Sequence, residues 1–154
     1  MTDLAVGASP FILVVGAANM DITGSTPHRL VPGDSTPGHI RHAPGGVARN
    51  VAENLARLGH AVRLVCAVGD DLFGRSLLAQ TRSAGVDLQA CWVLEGEATS
   101  SYLSLHGPDG DMAVAVNDMS ILDCITPQRL QAHAGLLRQA GVLLLDGNLP
   151  ETAL

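Results

Sequence analysis

The pattern of apolar positions along the chain predicts strands that are buried on both faces of a sheet. Largely apolar runs occur at residues 11–16, 61–68 and 142–145. Such runs are typical of parallel strands that are flanked by helices. The chain is therefore expected to adopt an α/β fold.

Between these runs the apolar residues recur at helical spacing. The apolar positions from Val47 to Leu58 predict the buried face of one helix, which Gly59 ends as a left-handed cap. Two further helices are expected at residues 72–84 and 126–139. Strands and helices thus alternate along most of the chain, as a parallel sheet requires.

Two stretches break this alternation. Residues 23–44 are rich in proline, glycine and threonine and are too long for a plain loop, so we expect extra strands or a flap over a site. Residues 88–94, 100–106 and 112–117 are short and rich in strand formers, and the turn at residues 107–110 predicts a hairpin between the last two.

A glycine pair at the start of the first helix is the strongest candidate for a binding site. Gly45 and Gly46 lack side chains that would keep a ligand away from the backbone, and Asn50 follows in the first turn. The amide of Asn50 and the unpaired N–H groups of the helix start could serve one ligand. Asn19 and Asp21 follow the first apolar run, at the sheet edge where ligands bind in α/β proteins.

Charge and composition narrow the classes of function. The 154 residues include nine basic residues, all of them arginine, and the formal net charge is −6. The absence of lysine excludes a Walker A phosphate loop and a lysine Schiff base from these 154 residues. The negative charge argues against nucleic acid as the main partner.

The remaining composition points to a cytoplasmic protein. No apolar run is long enough to span a membrane, and no basic segment precedes an apolar stretch at the N-terminus. Cys66, Cys91 and Cys124 are widely spaced and odd in number, which favours buried thiols over a disulfide or metal framework.

Three stretches together resemble the N-terminal signature of the PfkB, or ribokinase-like, carbohydrate kinases. These are V-G-A-A-N-M-D, then G-G-V-A-R-N-V-A-E-N-L-A-R-L-G, then A-V-G-D-D-L-F-G. Within that family the chain is most similar to the pseudouridine kinases, on the stretches D-S-T-P-G-H-I-R-H-A-P-G-G, T-S-S-Y-L-S-L and V-A-V-N-D-M. The resemblance covers most of the chain.

The resemblance implies a fold and a domain organisation. A ribokinase-like three-layer α/β sandwich carries a small β lid, which covers the sugar and often pairs two subunits. Residues 1–154 would be the N-terminal part of a single kinase domain, with lid segments at about residues 23–44 and 88–117. The family's anion-hole glycines and catalytic aspartate are then expected beyond residue 154, so we expect this chain alone to be inactive.

The resemblance also implies a reaction and a set of contacts. Members of the family phosphorylate a primary hydroxyl with ATP and a divalent metal, Mg²⁺, and neither is expected to bind fully to this fragment. The family's sugar contacts match Asn19, Asp21, Gly45, Gly46 and Asn50 in this sequence. A uracil edge is expected to be read by Asn117 and Asp118, at the end of the lid hairpin. No metal ligand is assigned. Val47 stands where many sugar kinases of the family carry a lysine.

Three functions remain open at this point. The first is the substrate-binding portion of a pseudouridine kinase, and the second is another ribokinase-like enzyme that acts on a free sugar or a different nucleoside. The third is an inactive or binding-only α/β domain. A dinucleotide site is disfavoured because the V-G-A-A-N turn lacks the G-x-G-x-x-G spacing.

Overall fold

A parallel sheet forms the centre of the molecule, which a computed structural model describes for residues 10–154. Its strands are β1 (Ile12–Val15), β4 (Val62–Val65) and β9 (Val142–Leu145), in the order β4-β1-β9. Ile12 lies beside Val62 on one neighbour and Val142 on the other. The strands expected from the apolar runs are therefore present and parallel.

The chain leaves this sheet after β4 and continues as a separate strand pair. β5 (Ala67–Gly69) pairs in parallel with β6 (Trp92–Leu94). The predicted single strand at residues 61–68 is thus divided between two sheets. The predicted lid segment 88–117 also begins too early, because β6 pairs with β5 next to the core.

Helices cover both faces of the central sheet. On one face α1 (Val47–Arg57) and α2 (Leu72–Ser83) enclose a core that includes Val14, Ala52 and Leu77. The opposite face is covered by a 3₁₀ helix (Ser120–Cys124), α3 (Pro127–Ala132) and α4 (Ala134–Gln139), with Ile121 and Ile125 at its centre. The fold therefore has three layers, as expected, although residues 126–139 form two short helices that meet at His133.

A second sheet supplies the expected lid. It contains β2 (Asn19–Ser25), β3 (His39–Gly45), β7 (Ser101–His106) and β8 (Met112–Asp118), in the order β3-β2-β7-β8. β2 runs antiparallel to β3 and parallel to β7, and β7 and β8 form the predicted hairpin. Both stretches that break the helix–strand alternation therefore contribute strands to one sheet.

Two details of the predicted elements were wrong. Asn19 and Asp21 lie at the start of β2 in the lid sheet, not at the end of β1, because the chain turns at Gly16–Ala18 into a new strand. The buried face of α1 is formed by Ala48, Arg49 and Ala52, whereas Val47 and Leu58 are 54% and 74% exposed.

The strand β9 is also less buried than its sequence predicts. All four of its side chains are exposed, with Val142 49% and Leu145 45% accessible. β9 is paired with β1 alone, and within residues 10–154 no layer covers its two faces. An apolar strand is here an open edge of the central sheet.

Candidate substrate-binding site

The glycine pair lies where the lid sheet meets the start of α1. Gly45 is opposite Asn19 in the β2–β3 register, and a Cβ on Gly45 would collide with the carboxylate of Asp21. Gly46 has φ 96°, and its Cβ would lie 2.5 Å from the carbonyl oxygen of Ala17. Both positions therefore require glycine, one because of a side chain and the other because of the backbone.

Asn19 and Asp21 form a polar pair on one face of the lid sheet, which we call its inner face. Asn19 is buried, and its Nδ2 donates a hydrogen bond of 2.6 Å to Oδ1 of Asp21. Residues two apart on a strand share a face, so both side chains point to the same side of the sheet. The second oxygen of Asp21 has no hydrogen-bond partner among the described residues and can accept a hydrogen bond from a ligand hydroxyl.

The N–H groups at the start of α1 are used by the protein itself. Oδ2 of Asp146 accepts hydrogen bonds from the N–H of Ala17 at 3.0 Å and of Ala48 at 3.3 Å, and the N–H of Arg49 donates to the carbonyl of Ala17 at 3.1 Å. The expectation that these groups would serve a ligand is therefore wrong for Ala48 and Arg49. A carboxylate already satisfies the positive end of this helix.

The buried side chain of Arg49 holds the loop at Gly45 and Gly46 in place. Arginine is rarely buried without partners, and this one has several. The residue is 5% exposed, and its guanidinium donates to the carbonyls of Gly45 at 3.1 Å and Pro44 at 3.2 Å. It also donates to Oδ1 of Asn50 at 2.6 Å and pairs with Glu53. Because Oδ1 of Asn50 is occupied, its Nδ2 is the group that remains to donate to a ligand.

A second arginine acts on the same carboxylate. Glu53 receives hydrogen bonds from Arg57 and Arg49, and these charges hold the pKa of Glu53 below its ordinary value against the opposing effect of burial. The side chain of Arg57 is 63% exposed, whereas that of Arg49 is 6% exposed. Glu53 therefore stays ionised and anchors Arg49 in its buried position.

A cavity of about 290 Å³ opens over these groups. Asn19 and Asn50 contribute amides to its wall, and the remaining lining residues come from the glycine loop, the segment after β8 and the turn after β9: Ala17, Gly46, Val47, Met119, Leu122 and Asn148. Three of the predicted residues, Asn19, Gly46 and Asn50, thus line one cavity. Asp21 and Gly45 do not line it, but Asp21 is hydrogen-bonded to Asn19 and its carboxylate contacts Gly45.

The two predicted uracil contacts, Asn117 and Asp118, lie on opposite faces of the lid sheet. Asn117 is in register with Tyr102, which is in register with Asp21, so Asn117 shares the inner face at about 10 Å from Asp21, two strand spacings away. Asp118 points to the opposite face. Its carboxylate accepts hydrogen bonds from the N–H and hydroxyl of Ser120, which lower the pKa of Asp118. The structure does not bring Asp118 to the cavity.

Sequence reasoning missed Asp146 and Asn148. Asp146 is 5% exposed, and its Oδ1 accepts hydrogen bonds from the backbone N–H and the side-chain amide of Asn148 at 2.9 and 2.7 Å. The D-G-N stretch after β9 was a usable signal, because polar residues at the carboxyl end of a parallel strand reach the ligand edge of the sheet.

The described residues offer no metal centre. Within residues 10–154 no group of three histidine, cysteine, aspartate or glutamate side chains is close enough to hold a metal ion. None of the helices in the same range is long and apolar enough to cross a membrane.

Comparison with known proteins identifies the family. The family of pfkB carbohydrate kinases matches residues 9–154. The chain belongs to this family. Among curated pfkB-type relatives, the pseudouridine kinase of Escherichia coli K12 is 45% identical over 144 residues, which are 94% of this chain and 46% of that protein.

Two other comparisons bear on substrate and fold. The uncharacterized sugar kinase YeiI of E. coli K12 is also 45% identical, over 94% of this chain and 40% of its own length. The solved structure of a carbohydrate kinase from Agrobacterium tumefaciens superposes with a TM-score of 0.86 and 34% identity, covering 94% of this chain and 47% of that one. The fold is ribokinase-like, and the chain spans about half the length of the pfkB relatives that it matches.

Proposed function

We propose that the whole protein is an ATP-dependent kinase that phosphorylates the 5′-hydroxyl of pseudouridine, and that this chain supplies the sugar-binding floor of its active site. One observation carries the proposal: Asn19, Gly46 and Asn50 line one cavity, and the carboxylate of Asp21 is hydrogen-bonded to Asn19 beside Gly45. The 45% identity to a bacterial pseudouridine kinase supports the choice of substrate.

The groups at the cavity suit a sugar with neighbouring hydroxyls. A hydroxyl that donates to the free oxygen of Asp21 would accept a hydrogen bond from the Nδ2 of Asn50, whose Oδ1 is held by Arg49. Phosphoryl transfer depends mainly on fixing the attacking hydroxyl relative to the phosphate donor. These residues would therefore bind and orient the sugar.

The base would extend along the lid. Asn117 lies on the same inner face as Asp21, two strands away, and presents an amide that can pair with the donors and acceptors of a uracil edge. Asn117 therefore belongs to the proposed site, whereas Asp118 stabilises the turn at Ser120. ATP would supply the phosphoryl group, and Mg²⁺ would neutralise its charge.

Calorimetry on the full 154-residue chain tests the proposal. Pseudouridine should bind more tightly than uridine or ribose, and Asp21→Asn should weaken it about tenfold because an acceptor becomes a donor. Asp109→Asn, in the lid turn at residues 107–110, is the matched control and should bind like the parent chain. Equal affinity for the three ligands would remove pseudouridine as the substrate.

The second candidate is a ribokinase-like enzyme for another sugar or nucleoside. It is favoured by the equal identity to the YeiI sugar kinase. Tightest binding of ribose in the same calorimetry would select it, and no binding of any of the three would favour an inactive domain. We also propose that the isolated chain does not transfer phosphate. Labelled ATP that yields phosphorylated pseudouridine with this chain alone would disprove that.

We further propose a cytoplasmic homodimer that pairs through the lid. The outer face of the lid sheet exposes Ile40 at 71%, Val114 at 51% and Val116 at 65%, and these residues share that face with Leu103 through the strand register. A second copy would cover this apolar face. Sedimentation should show a dimer that Val116→Lys converts to monomer, and a parent chain that is monomeric at all concentrations would refute the pairing.

A further inference from the structure

Two cysteines that are distant in sequence lie side by side where the chain passes from β4 of the central sheet into the β5–β6 pair. Cys66 lies between β4 and β5, and Cys91 lies directly before β6. Their Sγ atoms are 3.4 Å apart, and both thiols are free. The third cysteine, Cys124, is in the 3₁₀ helix on the other face of the central sheet.

The backbone holds the two residues at a separation that a disulfide accepts. Ala67 is in register with Trp92, and the N–H of Trp92 donates to the carbonyl of Cys66 at 2.9 Å, so Cys66 and Cys91 occupy facing positions one residue earlier. Adjacent strands are about 4.8 Å apart, and disulfides bridge Cα atoms about 4.4 to 6.8 Å apart. Closure therefore needs side-chain movement with little change in the strands.

The two thiols differ in environment in the way that a reactive pair requires. Cys66 is fully buried, whereas Cys91 is partly accessible. The hydrogen bond that Cys66 donates lowers the pKa of the Cys91 thiol, and that donation together with burial raises the pKa of Cys66. The Cys91 thiol also donates to the carbonyl of Leu64 at 3.1 Å, so access, together with the hydrogen bond from Cys66, makes Cys91 the thiol that oxidises first and Cys66 the second.

We propose that Cys66 and Cys91 are a redox modification site that hydrogen peroxide converts to an intramolecular disulfide. The Cys91 thiolate attacks one peroxide oxygen, the O–O bond breaks, and hydroxide leaves as a sulfenic acid forms. The sulfur of Cys66 then attacks the Cys91 sulfur, the S–O bond breaks and water leaves. Overall, two thiols and one peroxide give one disulfide and two waters. The site is independent of the proposed substrate.

Thiol counting on the native chain tests the site. The chain has three cysteines. After peroxide treatment and alkylation in denaturant, we expect free thiols to fall from three to one, the intact mass to fall by two hydrogens, and a dithiol reductant to restore both. Peptide mapping should join Cys66 to Cys91. Emission of Trp92, the single tryptophan, should change at the same rate.

Matched variants separate this pair from general oxidation. Cys124→Ala should still lose two thiols, whereas Cys66→Ala and Cys91→Ala should form no intramolecular disulfide. If Cys66→Ala does not fold, the peptide map of the parent chain decides. The proposal is overturned by three free thiols after treatment, by a bridge that includes Cys124, by sulfinic acid at Cys91 without a bridge, or by equally fast pairing in the denatured chain.

Discussion

Arg49 is the residue on which the floor of the cavity depends. Its guanidinium satisfies the carbonyls of Pro44 and Gly45 and fixes the amide of Asn50, and Glu53 balances its charge. Removing one member of a buried charged network leaves the others without partners. Stability and ligand affinity should therefore fall together when Arg49 is replaced.

The matched comparison is between Arg49→Met and Arg57→Met, because both arginines pair with Glu53. Arg49→Met should cost about 2 to 4 kcal/mol in the free energy of unfolding and weaken pseudouridine at least about tenfold. Arg57→Met should change stability by less than about 1 kcal/mol, since an exposed pair contributes little. Denaturant titration and calorimetry measure the two effects, and equal losses for both variants would contradict this role.

Gly46 offers a second test at a single residue. Gly46→Ala introduces a strained φ of 96° and a contact with the Ala17 carbonyl, while Gly59, with φ 90°, has nothing near the position of a Cβ. Gly59→Ala should cost about 1 kcal/mol of backbone strain, and Gly46→Ala should cost about 1 to 3 kcal/mol more. Thermal unfolding of the two variants checks the difference. Equal costs would show that the loop at Gly46 shifts away from the Ala17 carbonyl without a loss of stability.

At the level of elements, one carboxylate joins three segments. Asp71 is the N-cap of α2 and accepts the N–H of Gly74 at 2.7 Å. It also accepts the N–H and hydroxyl of Thr99 at 2.8 and 2.7 Å, and Thr99 accepts the N–H of Gly69 at the end of β5. Burial opposes ionisation, but these hydrogen bonds outweigh it and lower the pKa of Asp71.

The lowered pKa gives a pH dependence with a definite sign. Asp71 is charged more readily in the folded chain than in the unfolded chain, so its stabilisation is present above its unfolded pKa of about 3.9 and is lost as the pH falls through the folded pKa. Asp71→Ala should cost about 1 to 2 kcal/mol near pH 7 and progressively less below about pH 4. Asp70→Ala is the control, because its partner Arg75 is exposed. Unfolding curves across pH that keep a constant difference would contradict the assignment.

Elements with a local signal were predicted well, and those set by distant contacts were not. Gly59 and Gly85 end α1 and α2 at positive φ, as their positions in sequence indicate. The start of β2 at Asn19 could not be read locally, because the lid sheet forms only when β3 and β7 arrive. The burial of Arg49 was missed because two of its partners are backbone carbonyls, which leave no mark in the sequence, and because an Arg–Glu pair four residues apart is equally typical of an exposed helix face.

At the scale of the whole molecule, β9 leaves an apolar edge open. Its residues are 36% to 49% exposed, and an unpaired strand edge promotes association. We expect the purified chain to scatter light increasingly with concentration, and Leu143→Lys to reduce that scattering several-fold. Leu58→Lys, at the exposed C-terminal end of α1, should leave it unchanged. A monodisperse parent chain with a cooperative thermal transition would contradict this expectation.

Asp146 also has a consequence for the order of events during synthesis. Its partners Ala17 and Ala48 are 129 and 98 residues earlier in the chain. The first helix can form its turns early, but the N–H of Ala48 at its start stays hydrated until β9 pairs with β1 and delivers the carboxylate. Long-range closure of this kind is slow relative to local helix formation. The cavity is therefore among the last parts of the structure to acquire its final shape, although most of its residues are translated first.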